Sequence, residues 1–235
     1  MKWIKDWHEW WHVEAPYGRM RPWLHPGLAK DPKYQKANVG CGTLAFDPEK
    51  GWTNLDQFGN AEHYVHTFDL CDLPYEFANN TFDYMFFSNV LEHIPDTVHG
   101  YPGEFWYSML EELLRITKPD GIWEIHGPDP RDSVYTLQVG GHTRLVGTHT
   151  FEHLTLRYKH GAIRTTTLHD QYGAEWVDVG RYSRFEMGKI TDWHLRRYLG
   201  RRLGDVAAKI VGGPGQIRMV LKIIKRERDE NTLDS

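Results

Sequence analysis

The sequence predicts an α/β fold in which a mostly parallel β-sheet carries helices on both faces. From residue 35 onward, short strand-like segments alternate with segments of helical periodicity, which is typical of this doubly wound class. Two close glycines and two acids also stand where successive strands are expected to end. Sheets of this class bind their ligands outside the carboxyl ends of the strands.

Six segments are expected to contain strands, and one of them is apolar without alternation. Residues 81–91, TFDYMFFSNVL, form a run that is typical of a strand buried on both faces. The six segments are residues 36–40, 51–56, 62–70, 81–91, 121–127 and 216–226.

The clearest helix is expected within residues 103–119. Its apolar residues recur at helical spacing, and Lys118 followed by Pro119 is a normal helix end. Two further helices are expected over residues 148–161, with Thr148 or Thr150 as the cap, and over residues 189–210.

Composition and net charge limit the classes of molecule that the chain is expected to bind. The 235 residues are 40% hydrophobic and 26% charged, as in globular proteins with a real core, and the net charge of −4 disfavours nucleic acid. Cys41 and Cys71 lack disulfide-framework or zinc-ligand spacing, so reduced thiols in a cytoplasmic protein are expected. No apolar run reaches the ~18 residues of a membrane span, so no membrane partner is expected.

The chain is interpreted as one domain with an N-terminal appendage. Residues 1–36 hold five tryptophans and are expected to form a strap or lid ahead of the main domain, which spans residues 37–226. Elements that read the substrate are expected within residues 129–210, and residues 227–235 form a predicted disordered tail. The oligomeric state is left open.

Gly40 and Gly42 stand at the end of the first strand. Without a Cβ, their backbone can turn sharply and let a ligand approach its N–H groups. Gly40-x-Gly42-x-x-Ala45 fits the dinucleotide fingerprint formally, but that fingerprint works through a helix N-terminus facing a pyrophosphate. Only residues 46–51 precede the next strand, which is too short for a full helix. A nucleoside without a pyrophosphate is therefore favoured.

Two acids follow at the next two strand ends. Asp56 can accept hydrogen bonds from two ribose hydroxyls, and Asp69 can accept from an exocyclic amine. Either acid could instead cap a turn. Three successive strand ends that carry Gly-Gly, Asp and Asp favour the ligand hypothesis over three unrelated turns.

With these motifs in order, the sequence resembles the class I S-adenosylmethionine-dependent methyltransferases from about Asn38 to Pro128. The segment NVGCG is similar to their glycine motif, and NLD to their ribose-binding acid. FDLCDLPYEFANNTFDYMFFSNVLEHI resembles their adenine segment and fourth strand, and LLRITKPDGIWEI their turn into the fifth strand. The resemblance implies a Rossmann-like sheet of seven strands and S-adenosyl-L-methionine as the cofactor.

The same resemblance implies a set of residues that contact the cofactor. The methionine and ribose would lie against Gly40, Cys41 and Gly42, and the ribose would be bound by Asp56 with Gln57. The adenine would meet Asp69 and Leu70, and the methyl group would be bordered by Ser88 and Asn89. Cys41 is expected to be a small buried thiol without a chemical role.

Two histidines are candidate general bases. His93 follows the loop on the methyl side, and His126 ends the fifth strand. The alternative for His93 is a purely structural, hydrogen-bonding role. Glu92 is a weaker candidate base, and its alternative is a charge at a helix end. His142, His149 and His153 invite a metal interpretation, but no metal is predicted there.

The sequence therefore predicts a methyltransferase that acts on a small-molecule or glycan-type acceptor. A nonenzymatic protein that binds the nucleoside cofactor or serves as a scaffold is the alternative. A nicotinamide-dependent oxidoreductase is disfavoured by the short segment after Gly42.

Overall fold

Seven strands form one sheet in the part of the chain that the computed structural model describes, which is residues 31–95, 105–130, 141–154, 172–183 and 215–225. The strands are β1 (Lys36–Val39), β2 (Trp52–Asp56), β3 (Val65–Thr67), β4 (Phe82–Ser88), β5 (Thr117–Pro128), β6 (Tyr172–Ser183) and β7 (Gly215–Lys225).

The strand order is β3-β2-β1-β4-β5-β7-β6. The first five strands in this order are parallel to one another, and β7 runs antiparallel to both β5 and β6. The predicted mostly parallel, seven-stranded sheet is confirmed. The order reverses between β1 and β4, and such a switch point opens a crevice at the carboxyl ends of the strands.

Helix α1 (Phe105–Ile116) covers one face of the sheet. Its buried residues recur at the expected helical spacing and belong to one apolar cluster with side chains from every strand except the short edge strand β3. The helix ends two residues before the predicted Lys118, because Thr117 already pairs with Phe82 at the start of β5. The Thr117 hydroxyl also donates to the Leu113 carbonyl at 2.7 Å and so closes the last turn.

The connection between β1 and β2 contains no α-helix, as predicted. A short 3₁₀ helix (Pro48–Lys50) begins after Asp47. The Asn54 side-chain amide fixes the preceding loop like a peptide group: it accepts from the Phe46 N–H and donates to the Phe46 carbonyl, each at 2.8 Å. This buried pairing replaces the hydrogen bonds that a helix would have made.

Other elements differ from their predictions. β6 was not predicted, because an irregularity between Trp176 and Asp178 breaks the alternation that marks a strand. β3 is three residues long, since a 3₁₀ helix (Ala61–His63) precedes it. Residues Thr148–Leu154 form a 3₁₀ helix within the predicted helix over 148–161.

Several predicted segments lie outside the described residues. They are the first thirty residues of the strap over 1–36, the end of the helix over 148–161, the helix over 189–210 and the tail over 227–235. No helix among the described residues is long and apolar enough to cross a bilayer.

Candidate functional site

The parallel register brings the predicted cofactor residues to one edge of the sheet. Val39 pairs with Leu55 of β2 and with Phe87 of β4, so the residues that follow, Gly40, Asp56 and Ser88, leave the sheet at the same level. Asp56 itself pairs with Thr67 of β3, and Asp69 stands two residues beyond that pair. The predicted strand-end residues therefore line one continuous edge.

Gly40 and Gly42 make the sharp turn that their sequence predicted. Both have left-handed backbone angles, with φ of 64° and 55°. The Gly40 and Cys41 N–H groups donate to the Leu55 carbonyl at 2.8 and 3.1 Å, so the turn is fixed to the end of β2. A Cβ on Gly40 would stand 2.3 Å from Cγ2 of Val90, which leaves no room for any other residue.

Asp56 caps this turn with both of its carboxylate oxygens. Oδ2 accepts from the Gly42 N–H at 2.7 Å, and Oδ1 accepts from the Phe58 N–H at 3.0 Å. The turn-capping alternative is therefore present in the structure. Each carboxylate oxygen can accept a second hydrogen bond, and the side chain is partly exposed, so ribose binding stays compatible with the cap. Gln57 beside it is exposed.

Asp69 lies exposed at the next loop, where its Oδ1 accepts from the Cys71 N–H at 2.8 Å. Leu70 is buried, and its carbonyl accepts from the Tyr75 hydroxyl at 2.9 Å. Burial, together with the Asp69 carboxylate, raises the pKa of the Cys71 thiol to about 11. The thiol of Cys71 is therefore protonated and unreactive near neutral pH. Cys41 is a buried thiol that belongs to no disulfide.

Ser88 and Asn89 reach the switch point between β1 and β4. Asn89 has a left-handed φ of 53°, and its N–H donates to the His126 carbonyl at 2.9 Å. Its side-chain oxygen Oδ1 is buried without a hydrogen-bond partner among the described residues. A buried acceptor in this position fits a site that is completed by a donor from a bound ligand.

The backbone of His126 pairs with Ser88 at this edge, but its side chain is buried on one face of the sheet. Its Nε2 is 2.6 Å from Oε1 of Glu124, and both side chains are almost fully buried. The other carboxylate oxygen of Glu124 accepts from the Tyr84 hydroxyl. Burial, and then the negative charge of Glu124, raise the pKa of Tyr84, so this hydroxyl keeps its proton.

His93 reaches the surface at the end of a 3₁₀ turn (Leu91–His93). Its Nδ1 is 3.0 Å from the Gly141 carbonyl, and its ring meets that of His142 edge to face with 4.7 Å between the centroids. Partial burial lowers the pKa of His93, and neighbouring His142 lowers it further. The imidazole of His93 is therefore held in its neutral form near pH 7.

No motif in the sequence predicts a contact between residues 141–144 and His93. Thr143 ties this loop to the turn: its N–H donates to the Glu92 carbonyl at 2.8 Å, and its hydroxyl donates to the Ile94 carbonyl at 2.6 Å. Arg144 donates to the same Ile94 carbonyl at 3.0 Å. These contacts span about fifty residues of chain, and no local motif signals them.

His142, His149 and His153 are grouped only by their spacing in the sequence. His149 is exposed in the following 3₁₀ helix, and the side chain of His153 lies outside the described residues. His142 instead packs on His93, as described above.

Residues 34–125 match a protein family described as a methyltransferase domain. No curated protein matches the chain significantly. Among solved structures, a SAM-dependent methyltransferase from Archaeoglobus fulgidus is similar, with a TM-score of 0.48 and 15% identity over 82% of this chain and 88% of that chain. An S-adenosylmethionine-dependent methyltransferase from Mesorhizobium loti has a TM-score of 0.45 and 14% identity, covering 80% of this chain and 90% of that chain.

Proposed function

We propose that this chain, whose residues 34–125 match a family described as a methyltransferase domain, is a class I S-adenosylmethionine-dependent methyltransferase that transfers a methyl group to a small-molecule or glycan-type acceptor. The observation that carries the proposal is the edge formed by the Gly40–Gly42 turn, Asp56 and Asp69 at three successive strand ends. No α-helix follows Gly42 before β2, so the loop lacks the helix N-terminus that a pyrophosphate would use.

The residues along this edge can hold the cofactor by its separate parts. Asn89 offers a buried acceptor at the methyl end, and the glycine turn lets a ligand approach the backbone closely. We assign Gly40, Cys41 and Gly42 to the methionine and ribose, Asp56 and Gln57 to the ribose, Asp69 and Leu70 to the adenine, and Ser88 and Asn89 to the border of the methyl group.

When bound, the cofactor supplies a methyl group that its sulfonium charge has already activated. The task left to the chain is to hold the acceptor in line with that methyl group, at ~3 to 3.5 Å. A hydroxyl acceptor must also lose a proton. We propose that His93 assists this loss and that His126 does not, because His93 is exposed beside the methyl end while His126 is buried against Glu124.

The proposed class of acceptor rests on the net charge of the chain and on the polar side chains beside His93. A net charge of −4 disfavours a polyanionic acceptor. The two imidazoles and the Thr143 hydroxyl form a polar surface there, which suits an uncharged acceptor that carries hydroxyl groups.

Calorimetry tests the cofactor first. The full chain should bind S-adenosylhomocysteine saturably and should not bind NAD. Saturable NAD binding without a response to the methyl donor or its product would overturn the proposal.

Transfer of a radiolabelled methyl group then tests the acceptor class. Sugars, small hydroxyl compounds, peptides and oligonucleotides are offered in parallel, and label is expected in the first two groups. Label in oligonucleotides or peptides alone would contradict the proposed acceptor class while leaving the methyltransferase activity intact. Cofactor binding with no transfer to any of the four groups would favour the nonenzymatic alternative.

A further inference from the structure

Three potential metal ligands meet beside the methyl end of the edge. One donor atom each from Glu92, His93 and His142 lies within 4.8 Å of the other two. Glu92 is buried, His142 is half-buried and His93 is exposed, so this His-Glu cluster runs from the interior to the surface. A cation bound there would have protein ligands on its inner side and solvent on its outer side.

The two halves of the His-Glu cluster are held together by the backbone. The Glu92 carbonyl accepts from the Thr143 N–H at 2.8 Å, and the Ile94 carbonyl accepts from the Thr143 hydroxyl at 2.6 Å. The Arg144 guanidinium lies 3.9 Å from the centre of the Trp106 ring and fixes the loop to helix α1. His142 therefore sits against His93 because its loop is tied down.

The hydrogen bond of His93 sets which of its nitrogens can bind a cation. Nδ1 is 3.0 Å from the Gly141 carbonyl, and a carbonyl only accepts, so Nδ1 carries the hydrogen. Nε2 then holds a free lone pair. Histidines that bind metals commonly donate their other N–H to a backbone carbonyl in this way, which fixes the tautomer and the direction of the ring.

The contact between the two imidazoles also favours a cation. Their centroids are 4.7 Å apart, and two protonated rings at that distance would repel each other. A single ion between them would instead meet one ligand nitrogen from each ring.

We propose that Glu92, His93 and His142 bind a divalent transition-metal ion, of which zinc is the representative. Two imidazoles and one carboxylate suit zinc, iron, cobalt or nickel, whereas magnesium and calcium prefer oxygen ligands alone. Bonds of ~2.0 to 2.2 Å keep the ligand atoms of one ion within about 4 Å of each other, so the three side chains would close up from their present spacing of up to 4.8 Å on binding the ion. Three protein ligands leave a coordination position open.

The open coordination position gives the ion a role in methyl transfer. This role rests on the proposed function, whereas the metal site itself does not. A bound cation lowers the pKa of an oxygen that it coordinates, so an acceptor hydroxyl releases its proton to solvent. That oxygen forms the bond to the methyl carbon, the bond from this carbon to the sulfonium sulfur breaks, and the sulfur leaves as a neutral thioether. His93 then assists loss of the proton through the ion that it holds.

Metal binding is measured without turnover. The full chain is stripped with a chelator and titrated with zinc chloride by calorimetry, and with cobalt chloride by visible absorbance. The wild type should bind one equivalent. His142→Ala and Glu92→Gln should weaken binding by more than roughly 100-fold, since even outer-shell partners of metal ligands contribute 10- to 100-fold.

His149→Ala is the matched control, because His149 lies seven residues further along the same segment and outside the His-Glu cluster. It should keep the affinity of the wild type. Urea unfolding of each variant shows that it is folded, which matters most for the buried Glu92. Equal zinc affinity in wild type and a folded His142→Ala variant overturns the proposal, and so does an equal loss in His149→Ala.

The same samples separate this inference from the proposed function. Zinc binding in a chain that binds no S-adenosylhomocysteine would keep the metal site and overturn the methyltransferase. Methyl transfer that survives chelation, in a chain that binds no zinc, would keep the methyltransferase and overturn the metal site.

Discussion

The carboxyl edge of the sheet has two halves, for which we propose nucleoside binding and acceptor binding, and they are built in different ways. The nucleoside half comprises the loops after β1, β2 and β3, which carry Gly40–Gly42, Asp56 and Asp69. The acceptor half comprises residues 88–94 after β4 and residues 141–144. The binding edge of the first half is shaped by pairing of neighbouring strands and by hydrogen bonds of backbone N–H groups. In the second half, side chains contact residues from a distant segment of the chain.

This difference determines what a substitution can damage. In the nucleoside half, the Gly42 N–H donates to Asp56, and the Gly40 and Cys41 N–H groups donate to the Leu55 carbonyl. The atoms that hold this turn together are therefore also atoms of the proposed binding surface. In the acceptor half, hydrogen bonds of Thr143 and Arg144 hold one loop on another. We therefore expect changes in the first half to lower stability and nucleoside affinity together, and changes in the second to lower turnover alone.

Gly40→Ala should have the largest effect. The new Cβ would lie 2.3 Å from Cγ2 of Val90, on a residue whose φ is 64°. A left-handed backbone costs ~1 to 2 kcal/mol, and overpacking costs ~1 to 3 kcal/mol, so the free energy of unfolding should fall by about 2 to 5 kcal/mol. Urea unfolding measures this loss.

Gly127→Ala is its control, since a Cβ there meets only Oε2 of Glu92, at an ordinary 3.8 Å. It should be neutral or slightly stabilising, because glycine within a strand is itself unfavourable. The double variant Gly40→Ala/Val90→Ala should recover part of the loss. Equal stabilities of Gly40→Ala and Gly127→Ala would show that the turn tolerates a side chain.

Asp56→Ala should have the next largest effect, on the nucleoside. Hydrogen bonds to a charged group contribute ~1.5 to 3 kcal/mol each, so affinity for S-adenosylhomocysteine should fall roughly tenfold to several hundredfold. Stability should fall as well, because the Gly42 and Phe58 N–H groups lose their acceptor. Calorimetry and urea unfolding on the same preparation separate the two effects.

Asp47→Ala is the matched control for Asp56→Ala. Asp47 accepts from the N–H two residues further on at 3.0 Å, as Asp56 does, but it begins a 3₁₀ helix away from the strand ends. It should lower stability and leave nucleoside affinity unchanged. If both variants lower stability and neither changes affinity, Asp56 is a turn cap and nothing more.

Thr143→Val tests the acceptor half. It removes the hydroxyl that donates to the Ile94 carbonyl at 2.6 Å while it keeps the shape of the side chain. One such bond contributes about 1 kcal/mol, so methyl transfer should fall several-fold as the 141–144 loop loosens. Affinity for S-adenosylhomocysteine should stay at the wild-type value.

Thr150→Val makes the same exchange in the same segment, at a hydroxyl that accepts from the Gly147 N–H at 2.9 Å. It should leave methyl transfer intact. A fall in nucleoside affinity for Thr143→Val would mean that the two halves of the edge are not independent.

The comparison also explains how much of the fold and the site could be predicted from the sequence. Gly40, Asp56 and Asp69 lie within thirty residues and end strands that pair with their neighbours, so alternation and spacing suffice to place them together. The acceptor half depends on contacts between Glu92 or His93 and residues 141–144, across about fifty residues. Nothing in local periodicity encodes such a contact.

His126 and β6 show two other limits of sequence patterns. The strand end at His126 was predicted, but the face on which its ring lies depends on the register of β5 with β4 and β7. Glu124, two residues earlier, lies on the same face, and Oε1 of its buried carboxylate is hydrogen-bonded to Nε2 of His126. β6 escaped prediction because a single irregularity at Trp176 shifts its alternation by one residue.

The smallest effect is expected at the opposite edge of the sheet, where neither half of the site lies. Lys225 ends the antiparallel strand β7, and its Nζ donates to Oδ1 of Asn80 at 2.6 Å and to the Arg115 carbonyl at 3.0 Å. Partial burial, and then the positive charge of Arg115, lower the pKa of Lys225 to about 8. A lysine in an unfolded chain has a pKa of about 10.4, so the unfolded state binds the proton more tightly.

The sign of the resulting pH dependence follows from the proton counts. Below about pH 8 both states are protonated, and the folded state bears the full cost of the half-buried charge. Between about pH 8 and 10 the unfolded state binds more protons, so stability rises with pH. The wild type should therefore gain stability relative to Lys225→Met when urea unfolding is repeated at about pH 9.5 instead of pH 7.

Lys222→Met is the matched control for this titration, because Lys222 lies on the same strand and pairs with Asp120 at 2.7 Å. That pairing raises the pKa of Lys222, so its charge persists at both pH values and its variant should differ from wild type by the same amount at each. Neither variant should change the affinity for S-adenosylhomocysteine, since both lysines belong to the amino-terminal edge of the parallel strands. A pH-independent difference for Lys225→Met would mean that Lys225 keeps its ordinary pKa, and a change in nucleoside affinity would mean that the two edges of the sheet are coupled.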